Sequence, residues 1–109
     1  AISKLKELME RVVLNGSGKL AKTAGFKIGG KTGSAYIPNE KTKGYSEDLL
    51  NTFVAILPLT NPKFTILVRI DKPQGIAGVT TVPAGKKMIE FLINYYNLQP
   101  DNPEELLKK

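Results

Sequence analysis

The stretch "LLNTFVAILPLTNPKFTILVRID", residues 49–71, constrains this chain more than any other. "LLNTFVAIL" is a short, largely apolar run halted by Pro58, and it reads as a buried strand. After the turn "LTNP", the run "FTILVRID" alternates, with Phe64, Ile66, Val68 and Ile70 on one face. Two strands joined by so short a link pair antiparallel. A lone hairpin cannot bury a core, so the flanking segments must complete one.

Those flanks supply two helices and a third strand. Ile2, Leu5, Leu8, Met9, Val12 and Val13 recur at helical spacing. "NGSG", residues 15–18, is expected to end that helix with a left-handed cap. Downstream, Thr81 and Pro83 open a second helix, whose predicted core face is Ala84, Met88, Phe91, Leu92 and Tyr95. Between them, "FKIGGKTGSAY" at residues 26–36 reads as a Gly-rich strand. Residues 38–48 read as a solvated polar loop, and "KPQGIAGVTT" as another loop.

The predicted fold class is therefore α/β in the α+β sense: a three-stranded antiparallel sheet with an N-terminal and a C-terminal helix packed on one face. Residues 1–98 would form that unit and residues 99–109 a polar tail. A chain of 109 residues has room for one modest core. Its start at Ala1 predicts a processed chain or part of a longer one.

Composition narrows the chemistry. The chain has no cysteine and no histidine, which removes disulfides, thiolate metal sites and any histidine-based triad. No metal and no cofactor is expected. No apolar run approaches the ~18 residues of a membrane span. The net charge of +6 sits wholly in residues 1–45, with nine basic and three acidic side chains. Such a half could meet an acidic partner, but its lysines are scattered and lack interleaved aromatics, so nucleic acid is not expected. Tyr36, Tyr45, Tyr95 and Tyr96 read as packing or surface residues, and Asp71 as a strand end.

"GFKIGGKTGS", residues 25–34, fits two signatures at once. As G-x-x-x-x-G-K-T it matches a phosphate-binding loop, which requires a buried strand before it and a helix after it. "KLAKTA" before it is not a buried strand, and Gly33 and Pro38 interrupt any following helix. As K-T-G it suits a strand that holds a carboxylate: Lys31 brings positive charge, Thr32 a hydroxyl, and Gly33 room for an extended peptide.

The residues around K-T-G carry a family resemblance from about Leu5 to Asn102. "GSGKLA", "GGKTGSA", "FVAILPLTNPKFTILVRIDKPQG" and "VPAGKKMIEFLINYYNLQPDN" follow in the order found at the C-terminal end of class B penicillin-binding proteins, with the cell-division type most similar. Ala55 departs from the usual F-V-G, and "TVPAGKK" from the usual A-A-P-V-F. The resemblance implies part of the serine β-lactamase/penicillin-binding-protein transpeptidase fold. A serine acyl-enzyme would cross-link stem peptides ending in D-Ala-D-Ala, and β-lactams would mimic that end.

Carried over by position, Lys31, Thr32, Gly33 and Ser34 would bind substrate, and the Ser34 backbone N–H would form half of an oxyanion hole. The family's S-x-x-K and S-x-N are expected upstream. "SKLK" at Ser3 to Lys6 matches the first pattern by coincidence, 28 residues before Lys31, and no S-x-N occurs. The nucleophile is therefore absent, and this chain alone is expected to be inactive. Expected partners are the missing N-terminal part of the transpeptidase domain and division-machinery proteins. The parent would lie at the periplasmic or extracytoplasmic face of the membrane, anchored by an N-terminal helix. A serine β-lactamase or a non-catalytic basic binding module are the competing readings.

Overall fold

The computed structural model describes residues 1–39, 41 and 43–107. In chain order the main elements are α1 (Ile2–Asn15), β1 (Gly29–Pro38), β2 (Tyr45–Leu57), β3 (Phe64–Asp71) and α2 (Thr81–Tyr95). Short 3-10 turns lie at Lys19–Ala21, Ala77–Val79 and Pro103–Leu107. The strands form one antiparallel sheet in the order β1-β2-β3, as the short connections predict.

Register decides which side chains share a face. Gly30, Thr32 and Ser34 stand opposite Ala55, Phe53 and Asn51. Phe53 and Ala55 in turn face Val68 and Ile66. Directly opposed residues project to the same side, so these form the inner face of the sheet. Val13, Ala21, Ile28, Phe53, Ala55, Leu57, Ile66, Val82 and Ile89 make the core there. α1 packs chiefly on β1, and α2 on β2 and β3.

Phe53 lies at the centre of this core with no exposed surface. Its ring occupies a slot between two glycines. A Cβ on Gly30 would come within 2.7 Å of Phe53 Cε1, and one on Gly85 within 2.6 Å of Cδ2. Both contacts are too close for any side chain, so β1 and α2 approach the same ring through bare backbone. The K-T-G strand and the C-terminal helix thereby share one ring as their common neighbour.

Several expectations need correction. The fully buried face of α2 is Thr81, Val82, Gly85 and Ile89; of the expected stripe Leu92 packs against the core, whereas Met88, Phe91 and Tyr95 do not. Met88, Phe91 and Tyr95 are exposed, and the Phe91 and Tyr95 rings stack outside the core with centroids 5.5 Å apart. Gly85 explains the rotation, because the face without a side chain is the one that can reach Phe53. On α1 only Val13 is buried, while Ile2, Leu5 and Leu8 stay exposed. The α1 cap is also not left-handed: Gly16 is extended at φ −109°, and its N–H bonds the Val12 carbonyl.

The polar loop expected over residues 38–48 is shorter, because β1 continues to Pro38 and β2 begins at Tyr45. Glu40 and Thr42 of that loop lie outside the described residues. The first strand starts at Gly29 rather than Phe26. Residues 99–107, expected as a tail, dock on the body. Asp101 accepts hydrogen bonds from the backbone N–H groups of Lys27 at 2.7 Å and Thr60 at 3.2 Å. Glu105 accepts from the Gly25 N–H at 2.9 Å and pairs with the Lys22 ammonium. The last two lysines of that segment, 108 and 109, lie outside the described residues.

Candidate functional site

β1 sits at one end of the sheet and pairs only with β2, so its other edge is open among the described residues. Lys31, Thr32, Gly33 and Ser34 follow one another along that edge. An extended strand advances ~3.3 Å per residue, so the four span roughly 10 Å. The structure therefore brings all four together on one rim of the sheet.

Alternation divides their side chains. Lys31 and Gly33 stand opposite Val54 and Thr52, and thus on the outer face. The Lys31 ammonium is exposed and donates to the Thr32 carbonyl at 2.7 Å. Gly33 has no space for a side chain, since a Cβ would lie 2.6 Å from Thr52 Oγ1. On the inner face, the Thr32 hydroxyl is 2.7 Å from that of Ser17. The exposed Ser34 donates its hydroxyl proton to Asn51 Oδ1 at 2.8 Å.

Ser17 and Asn51 were not singled out from sequence. Ser17 reaches β1 because the turn after α1 folds tightly, with the Gly16 and Gly18 N–H groups both bonding the Val12 carbonyl. No local pattern marks that contact. Asn51 did carry a signal: it shares the parity of Phe53, Ala55 and Leu57, and a polar side chain on a core-facing position needs partners.

Other candidates lie elsewhere. Ser3 and Lys6 border a shallow groove with Glu7, Glu10, Lys27, Leu59 and Thr60, none of which belongs to K-T-G. A second groove, between Ile37, Ser46, Asp48 and Lys72, lies at the far end of β1. No helix follows the G-x-x-x-x-G-K-T stretch, whose last residues are in β1. Asp71 ends β3, where the hydrogen bond from Arg69 and its charge hold the carboxyl below the usual range. Tyr36, Tyr45, Tyr95 and Tyr96 are all exposed.

Among the described residues the K-T-G edge is one wall without a facing wall. It offers a cation, hydroxyls and unpaired backbone amides along a strand, a set suited to an extended anionic ligand. Among the described residues nothing beside it combines a serine with a lysine as nucleophile and base.

Comparison with known proteins agrees with that arrangement. Residues 1–90 match the family model of the penicillin-binding protein transpeptidase domain. A peptidoglycan D,D-transpeptidase FtsI homolog of Chlorokybus atmophyticus is 34% identical over 109 residues, covering 96% of this chain and 16% of the relative. Its counterpart in Mesostigma viride is 33% identical over 100 residues, covering 89% of this chain and 17% of the relative. Among solved structures, penicillin-binding protein 3 of Mycobacterium tuberculosis, complexed with ampicillin, superposes with a TM-score of 0.75 at 26% identity. That match covers 89% of this chain and 25% of the other. The TP domain of penicillin-binding protein 3 from Burkholderia pseudomallei gives a TM-score of 0.73 at 26% identity, covering 90% of this chain and 30% of the other. From the three-stranded sheet, the edge-strand K-T-G and the match over residues 1–90, the chain belongs to the penicillin-binding protein transpeptidase family.

Proposed function

We propose that this chain supplies the K-T-G wall of a peptidoglycan D,D-transpeptidase. The observation that carries the reading is the open edge of β1, along which Lys31, Thr32, Gly33 and Ser34 are presented in sequence. Lys31 and Thr32 bind the terminal carboxylate of the stem peptide or of a β-lactam. Gly33 keeps the strand backbone accessible to an extended peptide. The Ser34 backbone N–H donates to the oxyanion that forms as the acyl carbonyl is attacked.

Strand geometry supports that last role. Residues two apart present their N–H and C=O groups to the same edge. The Lys31 ammonium already reaches the Thr32 carbonyl, so Ser34 shows its amide to the edge that Lys31 overhangs. Loss of one oxyanion donor typically costs about 3 to 4 kcal/mol in the transition state.

The serine nucleophile and its lysine base come from the part of the transpeptidase that precedes this chain. That part covers the exposed apolar residues Ile2, Leu5 and Leu8 of α1. The complete protein acts outside the cytoplasmic membrane, held by an N-terminal anchor, and works with division-machinery proteins. Ampicillin on the structurally similar penicillin-binding protein 3 supports β-lactams as ligands.

Labelling with a fluorescent penicillin tests this. The complete protein should acylate, and Lys31→Ala should slow acylation roughly 100-fold, the cost of stranding a buried carboxylate without its cation. The 109-residue chain alone should take up no label. Undiminished acylation of Lys31→Ala would overturn the assignment.

A further inference from the structure

The K-T-G strand carries little of its own that fixes its position along β2. Gly29, Gly30 and Gly33 bring no side chain to pack, and Gly-rich strands specify register weakly. Ile28, just before the strand, is buried in the core. Gly30, Thr32 and Ser34, which follow on the same face, add no large apolar side chain to it. A slip of one residue against β2 would exchange the faces of Lys31 and Thr32. The strand's entrance therefore decides where both side chains point.

That entrance is held from outside the sheet. Continuing the register in which Gly29 faces Ile56 puts Lys27 opposite Pro58, which has no N–H to give. The Lys27 carbonyl accepts the Leu59 N–H instead, at 2.8 Å. Asp101 completes the pairing. One of its carboxylate oxygens accepts the Lys27 N–H at 2.7 Å, and the other accepts the Thr60 N–H at 3.2 Å. A single side chain thus bridges the entrance of β1 and the turn after β2, with a charged acceptor toward each. Both partners are N–H donors, so the position asks for a carboxylate, since an amide would meet one of them with its own NH2.

The residues that lead into β1 are tied to the same segment. Gly25 donates its N–H to Glu105 at 2.9 Å, and its carbonyl accepts the Asn102 N–H at 3.0 Å. A Cβ on Gly25 would lie 2.9 Å from Leu106 Cγ, so the C-terminal segment lies directly against this connection.

We propose that Asp101 is a positioning residue for the transpeptidase edge, pinning the register of β1 so that Lys31 meets the ligand carboxylate. Glu105 holds the connection that leads into the strand. The proposal rests on the reading of β1 as the substrate-binding edge and adds residues 101–105 to its scaffold. Asp101 acts through the Lys27 backbone, roughly 13 Å of extended chain before Lys31, and not by contact with the ligand.

Asp101→Asn in the complete transpeptidase tests this, because it keeps the side-chain shape and turns one acceptor into a donor. Benzylpenicillin acylation should slow about tenfold, the order of one hydrogen bond to a charged group. Hydrogen exchange by mass spectrometry should quicken in residues 26–34 and stay unchanged in residues 81–95. In a Lys31→Ala background the same substitution should cost no more than about twofold, because the side chain being placed is gone. General destabilisation would instead cost the same in both backgrounds. That outcome, or unchanged exchange in residues 26–34, would overturn the role.

Glu105→Gln keeps an acceptor for the Gly25 N–H and loses the charge facing Lys22, so it should slow acylation less than Asp101→Asn does. A larger effect would move the pin from Asp101 to Glu105 and overturn the assignment. Failure of the substrate-edge reading looks different: Lys31→Ala would leave acylation untouched, while Asp101→Asn still quickened exchange in residues 26–34.

Discussion

α1 and α2 carry comparable apolar stripes and meet different fates. α2 buries Thr81, Val82, Gly85 and Ile89 against the sheet. α1 buries Val13 alone and leaves Ile2 73%, Leu5 56% and Leu8 49% exposed. The difference lies in the partner surface. α2 meets the broad inner face of β2 and β3, and Gly85 lets its backbone close on the Phe53 ring. α1 meets the narrow start of β1, where only its C-terminal turns find neighbours. An apolar stripe therefore says that a helix is to be covered, and the neighbouring strands decide how much of it this chain can cover.

The comparison can be broken at its strongest point first. Phe53→Ala empties the slot between Gly30 and Gly85, and urea denaturation should show a loss of about 3 to 5 kcal/mol. A loss under ~1 kcal/mol would mean that α2 is held by something other than this ring. Gly85→Ala should cost about 1 to 3 kcal/mol by overpacking, despite the ~1 kcal/mol that alanine gains in helix propensity. The clash wins because Phe53 cannot retreat: Gly30 closes the other side of the slot. A stabilised Gly85→Ala variant would show that the slot can open.

On the other helix, Leu5→Ala in the 109-residue chain should change stability by no more than about 0.5 kcal/mol, since there that side chain is mostly solvated. A loss matching that of a buried α2 residue would remove the contrast between the two helices. The smallest effect is expected on the outer face of β3. There the Arg69 hydrogen bond lowers the Asp71 pKa, so the pair's contribution is present above the usual carboxylate range and is lost as pH falls through the lowered value. Both side chains are exposed, so the effect should be visible in an NMR titration and not in a melt. Arg69→Ala should raise the Asp71 midpoint toward its ordinary value, with the Lys72 charge still holding it down in part, and an unmoved midpoint would exclude the pairing.

Much of the fold was legible along the chain. The hairpin of β2 and β3, the alternation in β3 and the start of α2 at Thr81 follow from runs, turns and Pro58. The α2 face was legible only in part: Leu92 packs on the core as expected, but large apolar residues do not by themselves mark the buried side. Close packing onto Phe53 favoured the side with Gly85, and Met88 and Phe91 turned outward. Docking of residues 99–107 was illegible for a related reason. Asp101 and Glu105 act on backbone N–H groups of Lys27, Thr60 and Gly25, which carry no sequence signature.

The candidate site divides the same way. Lys31, Thr32, Gly33 and Ser34 stand together because they are consecutive, and a strand keeps consecutive residues in a row on one edge. That much the sequence by itself determined, with the element order and the family. The tertiary structure alone decided which hydroxyls are engaged. Ser17 reaches Thr32 across a turn, and Asn51 reaches Ser34 across the sheet, while Gly75 and Thr80 come from the segment before α2. Hydrogen bonds depend on distances of a few ångströms between groups far apart in the chain, and those distances exist only once the sheet and its helices have closed on Phe53.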